Sequence, residues 1–108
     1  MKMPPYPNNI GKEPRRWIGI DGHPVRAEIV DEVYVRQRAL PNKYQKLIYL
    51  QKIQFDGRRI EYRFTYYMEG SKGKTEGKWV FGQYSLVVPS GDLIRLLEKA
   101  RLKGWKGF

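Results

Sequence analysis

A chain of 108 residues amounts to one domain, long enough to bury a core unaided. The absence of cysteine excludes disulfides, zinc knuckles, iron–sulfur clusters and thiol catalysis. Lysine and arginine number 21 against 11 acidic residues, a net charge of +10 that points to a polyanionic partner or to solubility alone. No stretch reaches the apolar length of a signal-peptide core or a membrane span, so a cytoplasmic protein that does not engage a membrane is the expectation.

The charge is segregated along the chain. Arg36, Arg38, Lys43, Lys46 and Lys52 fall in a region without acidic residues, and Arg95, Lys99, Arg101, Lys103 and Lys106 face Glu98 alone. Acidic residues gather instead at Glu28, Asp31 and Glu32, which read as a solvated edge.

Residues 1–14 carry Pro4, Pro5, Pro7, Asn8, Asn9 and Pro14, which disfavour regular structure. They read as a flexible arm before a single domain at 15–108. The stretch RRWIGIDGHPVRAEIVDEVYVRQR fits two periods. Val25, Ala27, Ile29, Val33 and Val35 alternate as in a strand, whereas Val25, Ile29, Val30, Val33 and Tyr34 keep helical spacing behind Pro24. The β-branched content favours the strand, with WIGI joined to it by a turn at Asp21-Gly22.

YQKLIYLQKIQF and RRIEYRFTYYM flank Asp56-Gly57, a dipeptide suited to a two-residue type I′ turn. Such a turn puts Phe55 opposite Arg58, Ile53 opposite Ile60, Gln51 opposite Tyr62 and Tyr49 opposite Phe64. It also sets Lys52 against Glu61, a complementary pair. EGSKGKTEG reads as a long exposed loop and KWVFGQYSLVV as the returning strand, with Tyr66 opposite Val80 and Gly82 making room for Phe64.

PSGDLIRLLEKARLKGW reads as a helix with Ser90 as N-cap, Asp92 in the first turn and Gly104 after the end. Leu93, Ile94, Leu96, Leu97 and Ala100 form its apolar arc. The expected fold is α+β: a twisted antiparallel sheet of four to five strands with this helix packed on one face. Tyr62 and Phe64 belong beneath the helix, and Tyr67 and Trp79 on the opposite face.

That opposite face is expected to carry Ile48, Leu50, Lys52, Arg59, Arg63, Tyr67, Trp79, Phe81 and Gln83. Rings stack on bases, cations hold phosphates and an amide reads a base edge, as on single-strand binding sheets. Lys72 and Lys74 in the loop are placed to close over a bound strand. The expectation is therefore a non-enzymatic, cofactor-free domain binding single-stranded DNA or RNA there. The same face also suits a protein partner or a homodimer, or a cover formed by the amino-terminal segment.

Catalytic signals are sparse. His23 is the single histidine and sits beside Pro24 in a turn, and no serine has a visible base. Asp56 with Glu76-Gly77-Lys78 follows the Asp…Glu-x-Lys order of metal-dependent nucleases, which keeps such an enzyme as a third reading. In the hairpin arrangement these carboxylates lie about 30 Å apart, too far to share a metal.

Overall fold

A computed structural model describes residues 3–13, 22, 26–37, 44–56, 58–82 and 84–106. Strands β1 (Ala27–Arg36), β2 (Lys46–Phe55), β3 (Arg59–Glu69) and β4 (Trp79–Phe81) form one antiparallel sheet in the order β1-β2-β3-β4. A 3-10 turn (Gly73–Thr75) interrupts the β3–β4 loop, and α1 (Ser90–Leu102) follows β4. This is the α+β architecture that the patterning implied. The expected WIGI strand, Asp21 and His23 lie outside the described residues.

The strand reading of β1 holds, and one residue explains its double period. Ile29 pairs with Ile53, but Asp31 pairs with Lys52, so Val30 is an extra residue in a bulge. The bulge switches faces. Ala27 and Ile29 pack with Ile53 and Phe55 on one side of the sheet, whereas Val33 and Val35 pack with Ile48 and Leu50 on the other. Glu32 and Tyr34 then join the first side, opposite Gln51 and Tyr49.

The β2–β3 turn also contains one residue more than expected. Asp56 has φ 49° and the Arg58 amide donates to the Phe55 carbonyl, which closes a tight turn after β2. Pairing nevertheless begins at Phe55 with Arg59 and continues with Lys52 opposite Tyr62, Leu50 opposite Phe64 and Leu47 opposite Tyr67. A one-residue slip exchanges the faces of one strand relative to the other. Ile48, Leu50 and Lys52 therefore share a face with Tyr62, Phe64 and Tyr66, and the anticipated pairing of Lys52 with Glu61 does not form.

The β3–β4 register differs by two residues, which preserves faces. Tyr67 pairs with Phe81 and Glu69 with Trp79. Gly82 therefore lies beside Tyr66 and not Phe64: its amide donates to the Tyr66 carbonyl at 2.8 Å. A Cβ at Gly82 would sit 2.2 Å from the Tyr66 ring.

Helix α1 packs against β1 and the adjoining part of β2. Leu96 and Ala100 are fully buried against Val33, Val35, Ile48 and Leu50, each large side chain contributing roughly 2 kcal/mol. The arc is rotated from the one expected: Asp92 is buried and bonded to Arg95, whereas Ile94 is exposed. Pro89, not Ser90, occupies the N-cap, and the Leu93 amide donates to its carbonyl.

The helix ends as Gly104 allows. With φ 87° at Gly104, its amide reaches the Arg101 carbonyl and the Trp105 amide reaches that of Ala100. The reversal turns Trp105 into the core, where its Nε1 donates to Asp31 at 2.8 Å. Two lysines tie the helix to β1 as well. Lys99 Nζ donates to the Tyr34 carbonyl at 2.8 Å, and Lys103 Nζ bonds both Asp31 and the Glu32 carbonyl.

Candidate nucleic-acid interface

The structure divides the expected binding residues. Arg59, Arg63, Tyr67, Trp79 and Phe81 project from the face opposite α1, while Lys52 lies on the helix side, its ammonium 6.0 Å from the centre of the Trp105 ring. Lys72 and Lys74 are exposed around the 3-10 turn, and Gln83 lies outside the described residues. The single aromatic and basic surface anticipated for Lys52, Tyr67 and Trp79 is thus not assembled, because of the one-residue slip.

On the face opposite α1, rings form a row across all four strands. Tyr34 stacks on Tyr49 at 5.0 Å, Tyr49 meets Tyr67 edge-on at 5.3 Å, and Tyr67 meets Phe81 edge-on at 5.4 Å. This row is partly covered, Tyr34 keeping 38% of its surface exposed. Residues 3–13, expected as a flexible arm, are laid across it: Tyr6 sets its ring 5.6 Å from both Tyr34 and Trp79, and Trp79 Nε1 donates to the Pro4 carbonyl at 3.0 Å.

Further along, the arm pairs with β1 through Gly11 N to Ile29 O and Ile29 N to Lys12 O. The Tyr49 hydroxyl donates to the Pro7 carbonyl at 2.6 Å. Burial pushes the Tyr49 phenol far above its ordinary pKa, with nearby Glu32 adding to the effect, so it stays a neutral donor.

A polar network locks arm and sheet together. Glu32 accepts from the Asn9 amide at 2.8 Å, from the Asn9 side chain at 3.2 Å and from Gln51 Nε2 at 3.0 Å. Gln51 Oε1 in turn accepts from Arg63 Nε and Nη2 at 3.1 and 2.7 Å. Burial lowers the Arg63 pKa, partly offset by Tyr67 and Glu32. The acidic run expected as a solvated edge is therefore split by strand alternation: Glu28 is exposed, Asp31 serves the helix, and Glu32 is only 6% exposed.

The open aromatic surface lies on the helix side. Because α1 sits over β1, the lower half of β3 is left bare, with Ile60, Tyr62 and Phe64 at 38%, 40% and 44% exposure. Tyr62 and Phe64 were correctly assigned to the helix side, yet α1 does not cover them. Tyr62 packs 5.7 Å from Trp105 and opposite Lys52. From Phe64 a groove of about 320 Å³, lined also by Arg63, Thr65 and Phe81 of the opposite face, continues past Gly82 to Leu86 and the exposed Tyr84. Sequence reasoning consigned these rings to the core because the helix was centred on the sheet.

The nuclease-like order is not gathered into a site. Asp56 and Glu76 lie beyond opposite ends of β3, whose 11 residues separate them by on the order of 30 Å. Among the described residues, no group of three or more histidine, aspartate or glutamate side chains could hold a metal ion. No described helix is long and apolar enough to cross a membrane. The chain matches no protein-family model, no curated protein and no solved structure.

Proposed function

We propose that this protein is a non-catalytic binding domain for single-stranded nucleic acid, and that its platform is the helix side of β3. The observation that carries the reading is the pair Tyr62 and Phe64, two residues apart on the part of β3 that the short β4 does not reach, half exposed and with Lys52 opposite Tyr62. Residues i and i+2 of a strand stand about 6.8 Å apart on one face, a spacing that lets neighbouring splayed bases each find a ring. The net charge of +10 supplies the attraction for phosphates, with Lys52 paired opposite Tyr62. The groove from Phe64 to Tyr84 extends the track along the strand.

The test compares the two faces by fluorescence anisotropy with a labelled oligonucleotide. Phe64→Ala is expected to weaken binding by about 1–3 kcal/mol, or roughly 5- to 150-fold, with folding unchanged. Trp79→Ala is expected to loosen the arm while leaving affinity within about twofold. Affinity that survives Phe64→Ala and Tyr62→Ala together, but falls with Trp79→Ala, would move the site to the opposite face. No binding at low salt to any oligonucleotide sinks the reading.

A further inference from the structure

The segment lying on the aromatic row has a chemistry of its own. Residues Met3 to Asn9 run without helix or strand, and Pro4, Pro5 and Pro7 favour an extended backbone whose carbonyls are left to outside donors. The sheet supplies donors from its rings. Trp79 Nε1 serves the Pro4 carbonyl, the Tyr49 hydroxyl serves that of Pro7, and the Tyr67 hydroxyl serves Asn9 Oδ1 at 3.0 Å. Between these contacts the Tyr6 ring is wedged edge-on by Tyr34 and Trp79. Indole and phenol groups donating to an extended proline-rich backbone is how aromatic grooves capture such segments from other proteins.

The selective elements are also visible. Only two side chains of the segment are engaged by this set of bonds and rings, those of Tyr6 and Asn9. Asn9 presents both its amides to Glu32, a carboxylate held in place by Gln51 and Arg63. A buried anion suits an amide donor and repels a phosphate, which makes the occupant a peptide and not a nucleic acid. None of these contacts requires the segment to be covalently joined to the sheet.

We propose that the aromatic face is a docking groove for an extended segment of the pattern Pro-x-Tyr-Pro-x-Asn, that residues 4–9 fill it as a tethered ligand, and that a partner protein presenting the same pattern takes their place. The tether sets the threshold. A covalently linked segment competes at an effective concentration near millimolar, so a partner must bind more tightly than the arm or arrive in several copies. This inference concerns the face opposite the proposed nucleic-acid platform and stands independently of it.

The probe is a fluorescein-labelled peptide with the sequence of residues 1–13, titrated into the full chain carrying Tyr6→Ala and Asn9→Ala. Saturable binding is expected, at least tenfold tighter than to the unsubstituted chain, and at least tenfold weaker when Trp79→Phe is added or when Tyr6 and Asn9 are replaced in the peptide. A variant that keeps its circular dichroism but binds no peptide at millimolar concentration overturns the proposal and makes the arm a fixed layer of the core. Binding indifferent to Trp79→Phe, or an oligonucleotide that displaces the peptide, overturns it equally. Hydrogen exchange on the unsubstituted chain decides the matter even where the variant fails to fold. The Asn9 and Gly11 amides are expected to exchange at least a hundredfold faster than that of Leu50, and equal rates would mean that the arm never leaves the folded sheet.

Discussion

Glu32 shows how much one side chain can hold. Its carboxylate accepts three hydrogen bonds in a site almost closed to water, two from the arm and one from Gln51. Truncation would strand the Asn9 amide and the Gln51 Nε2 group with no substitute acceptor, at about 1–3 kcal/mol for each buried donor left unmade. Glu32→Ala is therefore expected to cost about 3 kcal/mol, read as a lower urea midpoint with an unchanged slope. An unaltered midpoint would mean that the network carries no net stability. Asp31 and Glu32 illustrate a limit of sequence reading at this scale. They are adjacent and chemically alike, but strand alternation sends one to the helix and the other under the arm.

At the scale of elements, the junction between β1 and the end of α1 responds to pH. Partial burial acts to raise the Asp31 pKa, but donors from Lys103, Trp105 and the Glu32 amide outweigh it and hold the carboxyl below its ordinary value. The unfolded chain consequently takes up this proton first as pH falls. The contribution is complete above the unfolded value near 3.9 and is lost as pH drops through the lower folded value. Unfolding monitored by tryptophan fluorescence is expected to show stability falling below about pH 4. Asp31→Asn should be weaker at neutral pH and show a shallower acid limb. Identical acid limbs would assign the loss to other carboxylates.

The elements themselves were largely legible. The strand type of β1, the position of the β2–β3 reversal though not its length, the helix and its Gly104 ending all follow from local chemistry that tertiary context did not override. Register was not legible, and the reason is physical. Leu47, Ile48, Tyr49 and Leu50 are all essentially buried, so β2 is covered on both faces and its apolar run fits either alignment. The deciding interactions, Gln51 with Arg63 and Tyr49 with Tyr67, join residues whose proximity depends on Arg58 being left out of the ladder. The candidate site followed the register: Tyr67 and Trp79 kept their predicted face, but Lys52 moved to the other.

For the whole molecule, the two faces predict separable behaviour. If about three to five phosphates are neutralised, log affinity for a single strand should fall against log salt with a slope of roughly −2 to −4. Lys52→Ala is expected to flatten it by about 0.7, the share of one phosphate, whereas Arg63→Ala should lower stability as well, because its guanidinium serves Gln51. A slope indifferent to Lys52 would place the anion elsewhere on this basic surface.

The lysines that anchor α1 have a second consequence. An outermost strand normally offers bare amides and carbonyls to any passing chain, the seed of strand-by-strand aggregation. Along β1 that offer is withdrawn: the arm pairs with both backbone groups of Ile29, and Lys103 and Lys99 occupy the carbonyls of Glu32 and Tyr34. Acetylating these two ammonium groups would remove the charge that repels a second copy while unfastening the helix. The lysines that fasten the helix are thereby expected also to oppose strand addition at this flank, and a variant with both replaced by glutamine should aggregate sooner on heating.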